Sequence, residues 1–497
     1  MKIAATSLEQ RFLAFATPWT GTFSMCEAPG MLPIAPNSRL SNMRTLQHRG
    51  RPLIILNPCK QRMSGVYALA ASTLADNVGT RTSTDDASAQ FQQLQDVIIV
   101  GGGIAGLATA LALHRVGIKP LVLEQAERLR TAGSVIGLWT NAWKALEALG
   151  VADSLRKTFV KVSGCDFYDE AGNSILNLGF DEVSRHVELR AVERKVLLKT
   201  LQEPLPDGAV LYDSDVTGVR KLAGGYTEVQ CKDGNKFQTK VLIGCDGAGS
   251  VVARWMNMEE PRFAGYAATR GMAVYPDGHN LSNKAKQIIG RGVRAGIAPI
   301  DEKRVYWFVV FNSSGERVTD VELVHKEALN YVKGWPSMIT EAINRTPLDT
   351  LSRRGITDRW MWPAGGPPLY NRGVTLAGDA MHPMTPNLGQ GGCLALEDAI
   401  ILARALSKVL ASSDWQQPTG SPESQLKEME RIDLALKSYT EERWGRVLPI
   451  SIRSYITGVL LQLDSKFVCS LRNKLLPKVF KPERFVDHTF FDCGALE

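Results

Sequence analysis

A glycine-rich turn near residue 100 has the residue types and spacing that hold a pyrophosphate. Residues 96–100, an aspartate followed by four apolar residues, predict a buried strand, and the sequence GGGIAG follows at once. The first glycine of such a turn makes the bend, the second admits a phosphate close to the backbone, and the third lets the next helix pack on the strand. The residues predicted to contact the phosphates are Gly101, Gly103, Ile104, Ala105 and Gly106.

A second predicted strand, residues 120–124, ends in a carboxylate. Glu124 lies about 20 residues past the glycines, where dinucleotide-binding folds place the acid that hydrogen-bonds a ribose hydroxyl. Between the two strands, an apolar helix face of Leu107, Leu111 and Val116 follows the glycine turn. These features together predict a dinucleotide site in an α/β domain.

Two later segments repeat the pattern of an apolar strand that ends at an aspartate. Residues 240–246 end at Asp246, and residues 372–379 end at Asp379. Carboxylates at the carboxyl edge of a parallel sheet can reach a ligand in the crevice that such sheets form. Residues 386–392 then lead into a predicted amphipathic helix, whose glycine-rich N-terminus favours an anion. The candidates in that run are Pro386, Gly389, Gln390, Gly391 and Gly392.

The length of 497 residues predicts two or three packed lobes rather than one core. Most of the net charge of +7 belongs to residues 1–75, which contain eight Lys or Arg and two acids. That segment is rich in Ser, Thr, Ala and Arg and lacks periodicity, which is typical of a transit peptide, with a plastid favoured over a mitochondrion. A disordered tail and an overlong gene model are the alternatives. Residues 76–95 are predicted to be a linker.

Composition disfavours several classes of protein. No run of 18 apolar residues occurs, so no transmembrane segment is expected. The eight cysteines are scattered, without a Cys-x-x-Cys pair or a histidine cluster, which disfavours a structural metal and a disulfide framework. The body of the chain is nearly neutral and has no basic stripe interleaved with aromatic residues, so nucleic acid is not an expected partner.

The motifs together resemble a known enzyme family. The glycine turn with Glu124, the Cys-Asp-Gly segment at 245–247 and the run GDAMHPMTPNLGQGG at 378–392 stand in the order and spacing of the class A flavoprotein monooxygenases. This is the fold of p-hydroxybenzoate hydroxylase, and within it the chain is similar to the plant group related to zeaxanthin epoxidase. The similarity runs from residue 96 to the C-terminus. It includes Arg190, before a predicted helix at 191–201, and segments 290–296, 305–308 and 358–363.

The resemblance implies an α/β fold in which a Rossmann-like FAD-binding domain is interleaved with a mixed β-sheet substrate domain and followed by a C-terminal helical segment. The FAD-binding domain is then expected at residues 96–160, 186–258 and 366–410. The substrate sheet is expected at 161–185 and 259–365, and the helical segment at 411–497.

The resemblance also implies a role for each candidate. The three glycines at 101, 103 and 106 would hold the FAD pyrophosphate, and Glu124 the adenosine ribose. Arg190 would lie beside the flavin, Asp379 would bind ribityl or pyrophosphate oxygens, and Asp246 would serve FAD and, indirectly, NAD(P)H. The residues expected to border the isoalloxazine ring, where O2 reacts, are Pro386, Gly389, Gln390 and Gly391. Pro386 and Arg190 are the expected catalytic residues.

One departure from the family pattern concerns Arg254, which comes one position later than the arginine of the motif Ser-x-Val-Arg. Arg190 could instead be a surface cation at a helix start, but the helix dipole disfavours a cation there, which favours a functional role. His382 is expected to be structural rather than a proton-transfer group. Glu397 and Asp398 are expected to be ordinary acids of a first helical turn, outside the site.

Cys393 lies close to the predicted flavin segment. It is expected to be a buried apolar residue rather than a covalent tether, so the FAD is expected to be non-covalent. Only one dinucleotide fingerprint is visible, so NADPH or NADH is expected to bind transiently.

The predicted function is an NAD(P)H-consuming monooxygenase that hydroxylates or epoxidises a hydrophobic or aromatic small molecule through a C4a-hydroperoxyflavin, with FAD as cofactor and O2 as co-substrate. Two alternatives stay open: a flavin oxidoreductase without oxygen insertion, and a non-catalytic FAD-binding protein. A flavin halogenase is disfavoured because the chain has no Trp-x-Trp-x-Ile-Pro run.

Residues 443–486 contain nine Lys or Arg and two acids, together with apolar residues at helical spacing. That composition suits a helix on a membrane surface, or a helix packed on the sheet with a solvated basic face. The packed helix is favoured, and peripheral membrane contact is the alternative.

Overall fold

A computed structural model describes residues 94–129, 135–360, 369–410 and 421–496. The leader predicted at 1–75 and the linker predicted at 76–95 lie outside the described residues, apart from the last two. The described strands, numbered β1 to β17, are Gln95–Val100, Pro120–Leu123, Val135–Leu138, Gly164–Asp169, Ser174–Gly179, Arg190–Glu193, Val210–Leu211, Val216–Lys221, Thr227–Cys231, Lys236–Gly244, Arg262–Val274, Lys284–Ile289, Val293–Pro299, Arg304–Asn312, Ser352–Asp358, Tyr370–Asn371 and Val374–Leu376.

The described helices, numbered α1 to α12, are Ile104–Arg115, Thr140–Ala148, Ala152–Thr158, Phe180–Val183, Arg194–Gln202, Val251–Trp255, Val321–Tyr331, Ser337–Asn344, Gly391–Leu410, Pro422–Leu461, Lys466–Val479 and Pro482–Val486. Short 3-10 turns occur at Leu348–Thr350, Gly378–Ala380, Pro386–Leu388 and Asp487–Thr489. No helix of the described ranges combines the length and apolarity needed to cross a bilayer.

The first sheet has eight strands, in the order β16-β17-β10-β1-β2-β7, with β9 joining β10 to β8. Four consecutive strands, β17, β10, β1 and β2, run parallel. Val100 pairs with Gly244 and with Leu123, and Gly244 pairs with Leu376. The carboxyl ends of these strands therefore meet at one edge of the sheet.

Apolar residues without alternation explain why this sheet is covered on both faces. Val97, Ile98 and Ile99 of β1 are fully buried, as are Val241, Leu242 and Ile243 of β10. Helices α1 and α9 pack against each other beside the sheet. Both helices begin just past the strand edge, so their N-termini lie where the strands end.

The helix predicted at 191–201 begins later than expected. Residues Arg190–Glu193 form β6, which pairs antiparallel with β3 from Leu138 to Val135. This pairing holds the backbone extended, so α5 starts only at Arg194.

The second sheet has seven strands, in the order β15-β11-β14-β13-β12-β4-β5. Its neighbours run antiparallel except for β12 and β4. One face packs on α7 and α8, and Trp307, Val309 and Phe311 of β14 are fully buried there. Tyr306 and Phe308 alternate with them and are only partly buried. This second face is turned toward the loop at 386–389, since Asn387 hydrogen-bonds Tyr266 of β11 on the same face.

The C-terminal helices join the two sheets. The first half of α10 buries Ile432, Leu436 and Tyr439 against the eight-stranded sheet and α9. Farther along, Ser454 and Gln462 hydrogen-bond the 386–389 loop and the β12–β13 turn. Helix α10 therefore contacts the elements of both sheets.

Candidate functional site

The glycine turn after β1 is shaped by close backbone contacts. Gly101 has a φ of +102°, and a Cβ there would lie 2.6 Å from the carbonyl oxygen of Cys245. A Cβ on Gly106 would lie 1.8 Å from the oxygen of Gly101. Only glycine fits at these two positions. Gly103 caps α1 without a side-chain hydrogen bond, so the first turn of α1 presents backbone N–H groups at the strand edge.

Glu124 is fixed beside this turn. Its Oε2 accepts a hydrogen bond of 2.6 Å from the backbone N–H of Gly102, and its Oε1 accepts one of 2.9 Å from Ala126. The side chain is buried. These bonds hold the acid at the end of β2, next to the glycine turn.

The turn after β17 approaches α1 closely. Gly378 has a φ of +59°, and a Cβ there would lie 2.7 Å from the Cβ of Ala105. The next residue, Asp379, reaches solvent although protein surrounds it on most sides, so it lines a concave surface. Desolvation by the surrounding protein raises the pKa of Asp379, and the charges of Arg194 and Arg359 oppose this shift.

The turn after β10 carries Asp246. Its Oδ2 accepts a 2.7 Å hydrogen bond from the backbone N–H of Val251 at the start of α6, and Ser250 caps the same helix through Ala253. The other oxygen, Oδ1, is buried and has no hydrogen-bond partner among the described residues. Burial raises the pKa of Asp246. Arg254, displaced by one position in the sequence, donates to the carbonyl oxygen of Gly249 at 3.0 Å.

Arg194 is a site residue that the sequence interpretation missed. It begins α5, and its Nη2 lies 4.0 Å from the position of a Cβ on Gly103. Its charge also acts on Asp379. The argument that a cation is misplaced at a helix start was applied to Arg190, but β6 moves the helix start to Arg194. Locating that strand would have identified Arg194.

Arg190 lies at the start of β6 and is held by other groups. Its Nε donates to Glu188 at 2.8 Å, and its guanidinium lies 5.4 Å from the ring centroid of Trp143. Its Nη1 donates to backbone carbonyls of Arg156 and Phe159. These contacts account for its orientation, and its role beside a flavin stays a prediction.

Arg359 ties two of the turns together. It is buried, and it donates 2.6 Å hydrogen bonds to the carbonyl oxygens of Ala380 and Glu259, with a longer one to Ala248. It thereby links the turn of Asp246 to the turn of Asp379. The sequence interpretation gave only its segment, 358–363, and residues 361–368 lie outside the described ranges.

The loop at 386–389 and the start of α9 form the third part of the site. Pro386 opens a 3-10 turn, and Gly389 follows with a φ of +63°. A Cβ on Gly389 would lie 3.2 Å from Nε1 of Trp139, and one on Gly391 would lie 3.8 Å from Oδ1 of Asp379. The first turn of α9 contains no acid. Its N-terminus is thus an electropositive pole close to Asp379.

Gln390 and Gly392 complete that pole. Gln390 is buried, and its Oε1 accepts a 2.9 Å hydrogen bond from Nδ2 of Asn141. A Cβ on Gly392 would lie 3.4 Å from Ile136 and 4.0 Å from Ile104. The first turns of α1 and α9 therefore lie side by side, so the predicted glycines of both segments meet at one place.

A buried ionic network supports the turn after β17, which contains Gly378 and Asp379. Asp398 Oδ2 accepts hydrogen bonds from the backbone N–H of Gly378 at 2.8 Å and from Nε2 of His382 at 2.7 Å. Its Oδ1 accepts one of 2.6 Å from Nε of Arg443. Glu397 contacts Arg443 at 2.9 Å and Arg446 at 2.9 Å. Glu397, Asp398 and Arg443 are fully buried.

This network differs from the expected pair of ordinary first-turn acids. Burial alone would raise the pKa of Asp398, but His382 and Arg443 hold it at about 2. The partners Arg443 and Arg446 come from α10, about one helix later in the chain, so no local pattern indicated them. His382 stands in this network, which suits a structural role.

Cys393 is buried behind the pole. Burial raises the pKa of its thiol to about 12, so the thiolate needed for covalent attachment is disfavoured. The thiol lies 3.5 Å from the carbonyl oxygen of Gly389.

Comparisons with known proteins agree with this arrangement. Residues 95–416 match the family described as FAD binding domain. Monooxygenase 2 of Arabidopsis thaliana is 36% identical over 81% of this chain and 98% of its own length. A chloroplastic zeaxanthin epoxidase of Oryza sativa subsp. japonica is 31% identical over 71% of this chain and 53% of its own length.

A solved structure shares the fold. The HpxO protein of Klebsiella pneumoniae, crystallised with FAD and uric acid, superimposes with a TM-score of 0.67 at 23% identity and covers 82% of this chain and 98% of its own. The chain therefore belongs to the FAD-binding family of class A flavoprotein monooxygenases. It is an FAD-dependent monooxygenase with the α/β fold expected from its motifs.

The residues at the strand edge fit FAD chemically. The N-terminus of α1 has no side-chain cap, and the first turn of α9 contains no acid. These two N-termini lie side by side at the strand edge and suit a pyrophosphate and an electron-rich ring. Glu124 and Asp379 supply carboxylate oxygens that accept hydrogen bonds from ribose or ribityl hydroxyls. The open surroundings of Gly103 leave space for a phosphate, since the nearest atom to its Cβ position is 4.0 Å away.

Proposed function

We propose that this monooxygenase consumes NADPH or NADH and inserts one oxygen atom of O2 into a hydrophobic or aromatic small molecule, by hydroxylation or epoxidation. The observation that carries the proposal is the contact between the seven-stranded sheet and the 386–389 loop. Nδ2 of Asn387 donates a 3.0 Å hydrogen bond to the hydroxyl of Tyr266 on β11. A sheet face bearing Tyr306 and Phe308 thus lies opposite the loop next to which the flavin ring would lie.

Each part of the strand edge has a proposed role. Glu124 would hold the adenosine ribose, and the glycine turn with Arg194 would hold the pyrophosphate. Asp379 would bind ribityl hydroxyls, with Asp246 beside it. When bound, FAD supplies the redox chemistry, accepting a hydride from the nicotinamide and activating O2. The residues proposed to border its ring are Pro386, Gly389, Gln390, Gly391 and Gly392.

The N-terminus of α9 would stabilise negative charge on the reduced ring. Its first turn lacks acids, and its dipole places partial positive charge at the glycines. The low pKa of Asp398 keeps a negative charge beneath Gly378, but the guanidinium of Arg443 pairs with it. The pole therefore keeps its positive character.

Anaerobic mixing tests the proposed function. The purified protein is mixed without O2 with NADPH, or with NADH, in the presence and absence of fractions from a plant metabolite extract. We expect bleaching of the bound flavin that one fraction accelerates. Readmission of isotopically labelled O2 should then place one labelled atom in a product from that fraction.

The two alternatives predict other outcomes of the same experiment. A flavin oxidoreductase without oxygen insertion would bleach but leave the product unlabelled. A non-catalytic FAD-binding protein would retain its flavin colour with both nicotinamides and every fraction. Either result would contradict the monooxygenase proposal.

We further propose that residues 1–75 direct the protein to the chloroplast and that the enzyme contacts membranes peripherally. Chloroplastic zeaxanthin epoxidases among the relatives support the first proposal. The second is supported by α11, where Phe467 is 78% exposed and Leu471 is 40% exposed beside three exposed lysines, Lys466, Lys474 and Lys478. An exposed aromatic flanked by lysines suits an anionic lipid surface.

A further inference from the structure

The side chain of Asn387, in the 386–389 loop, is held by both the seven-stranded sheet and α10. Its Nδ2 donates hydrogen bonds of 3.0 Å to the hydroxyl of Tyr266 on β11 and of 2.8 Å to the carbonyl oxygen of Ser454 on α10. Its Oδ1 accepts a hydrogen bond from Nη2 of Arg294 on β13. A carbonyl can only accept and a guanidinium can only donate, so these partners fix the orientation of the amide. The amide therefore uses both of its N–H groups and its oxygen.

Ser454 extends the contact between α10 and the chain just before the loop. Its Oγ donates a 2.5 Å hydrogen bond to the carbonyl oxygen of Thr385 and lies 2.9 Å from Oγ1 of the same residue. Both side chains are buried, and hydrogen bonds away from water are electrostatically stronger than exposed ones. Helix α10 therefore holds this part of the chain at two points, Thr385 and Asn387.

Gly458, one helical turn after Ser454, allows α10 to approach the amide closely. A Cβ at this position would lie 2.3 Å from Nδ2 of Asn387 and 2.7 Å from the hydroxyl of Tyr266. Glycine in the interior of a helix is less favourable than alanine, so helix formation does not account for it. The space that the amide and the tyrosine hydroxyl need does account for it.

The position of the loop bears on the fate of oxygen. Asn387 stands between Pro386 and Gly389, which are both proposed to border the flavin ring. Insertion of oxygen requires that the ring, O2 and the substrate are held in the correct orientation. NAD(P)H, a proton, O2 and substrate then give NAD(P)+, oxygenated product and water. Without insertion, NAD(P)H, a proton and O2 give NAD(P)+ and H2O2, so a displaced loop would waste the same electrons.

We propose that Asn387 is a positioning residue of the monooxygenase reaction. Its amide sets the 386–389 loop against Tyr266 and α10, and this placement directs the electrons of NAD(P)H into product rather than into H2O2. The inference rests on the proposed function, because it takes this loop as the border of the flavin ring. It adds a role for α10, which follows the residues 95–416 that match the FAD-binding family.

The first measurement needs no substrate. Hydrogen exchange of the backbone amides at 387–389 is followed in the FAD-loaded protein, together with the visible circular dichroism of the bound flavin. The N–H of Gly389 donates to the carbonyl oxygen of Pro386 at 3.0 Å and so reports opening of the loop. In Asn387→Leu we expect exchange about fivefold faster, the factor that corresponds to one lost hydrogen bond, and an altered flavin spectrum.

Gly458→Ala changes α10 and leaves Asn387 itself in place. It should accelerate exchange in the loop and alter the flavin spectrum as Asn387→Leu does, although alanine favours the helix. Gly445→Ala is the matched control, because it makes the same substitution in the same helix where no atom lies within 4 Å of the Cβ position. It should behave as the wild type. If Asn387→Leu does not retain FAD, Gly458→Ala is the deciding variant.

The second measurement is the H2O2 released per NAD(P)H oxidised, in the presence of the extract fraction that accelerates bleaching of the flavin. We expect this ratio to rise severalfold in Asn387→Leu and in Gly458→Ala. In Gly445→Ala it should equal the wild-type ratio.

Two outcomes would overturn the inference. The first is that loop exchange and the flavin spectrum in Gly458→Ala equal those of Gly445→Ala. The second is that exchange becomes faster while the H2O2 ratio stays at the wild-type value, which would make the contact purely structural. Failure of the proposed function is a separate result, because it would appear in the wild type as missing flavin reduction or missing label in the product.

Discussion

Asp379 illustrates how one carboxylate at a strand end can serve a cofactor. It reaches solvent on a concave surface between the first turns of α1 and α9. We expect Asp379→Ala to weaken FAD binding by about 1.5 to 3 kcal/mol, the value of a hydrogen bond to a charged group. Titration of the flavin-free protein with FAD measures this loss. Asp349→Ala removes an exposed carboxylate from the turn at Leu348–Thr350 and should bind FAD as the wild type does. Equal affinity in the two variants would remove Asp379 from the site.

Gly389 should affect reactivity more than FAD retention. Its φ of +63° is unfavourable for a branched residue, and a Cβ there would lie 3.2 Å from Trp139. We expect Gly389→Val to retain some FAD. Reduction of that bound FAD and its reaction with O2 should both be slow, as measured by turnover per bound flavin. Gly117→Val introduces the same backbone strain at a φ of +80° with no atom within 4 Å. The control should therefore lose stability without losing turnover per flavin, and normal turnover in Gly389→Val would contradict its placement.

For single residues, the sequence predicted the carboxylates at the ends of strands and missed the arginines that lie near them. Glu124, Asp246 and Asp379 follow apolar runs directly, so local pattern was enough to find them. Arg194 and Arg359 were not identified because the position of Arg194 depends on strand pairing and that of Arg359 on a hydrogen bond to the distant carbonyl of Ala380. No property of the neighbouring sequence indicates such contacts.

At the scale of elements, the ionic network between α9 and α10 holds the turn after β17. Asp398→Asn leaves Arg443 with less compensation inside the protein, so we expect a loss of about 3 to 5 kcal/mol in the free energy of unfolding. Chemical denaturation measures this loss. Glu423→Gln, which breaks the exposed pair with Lys427, should cost less than about 1 kcal/mol. Similar costs for the two substitutions would show that the network contributes little.

The same network predicts an acid dependence. The folded state lowers the pKa of Asp398 from 3.8 to about 2, so its contribution to stability is present above the ordinary value and is lost as pH falls through the folded one. Unfolding of the wild type should therefore become easier from about pH 4 to pH 2, and Asp398→Asn should show less of this change.

Helix α11 is the element proposed to contact lipid. We expect Phe467→Ser to reduce co-sedimentation with vesicles of phosphatidylcholine and phosphatidylglycerol, because the exposed ring would enter the interface beside the lysines. Leu434→Ser alters a side chain that is 67% exposed on α10 and should leave binding unchanged. If the wild type does not bind these vesicles, or binds vesicles of phosphatidylcholine alone equally well, α11 is a packed helix with a solvated basic face.

At the scale of the whole molecule, the strand–turn motifs predicted the fold class, and the distribution of sheets followed from the family resemblance. Strands β17, β10 and β1 are neighbours in the first sheet although they lie between residues 95 and 376 of the chain. The periodicity of the sequence does not predict which of these strands pair. A C-terminal helix packed on a sheet was the favoured expectation, but contacts with both sheets were not expected. Those contacts depend on Arg443, Ser454 and Gln462 meeting groups up to 170 residues away.

Removal of residues 1–75 should leave folding and FAD content intact, because the leader shows no periodicity in its sequence and the first strand of the described residues begins at Gln95. Absorbance and thermal unfolding of the shortened protein measure this. The leader fused to a fluorescent reporter should carry it into plastids, whereas a reporter that stays in the cytosol, or enters mitochondria, would contradict the proposed targeting.

The ionic contacts beneath Gly378 also bear on the order in which the parts of the site form as the chain is synthesised. The glycine turn is synthesised well before Arg443 and Arg446, which lie on α10, and strand β17 must also pair with β10. Long-range closure of this kind is slow compared with local helix formation. The support beneath Gly378 is therefore completed only after α10 has been synthesised. A nascent chain that stops before α10 would carry the nucleotide fingerprint without the ion pairs that support the turn after β17.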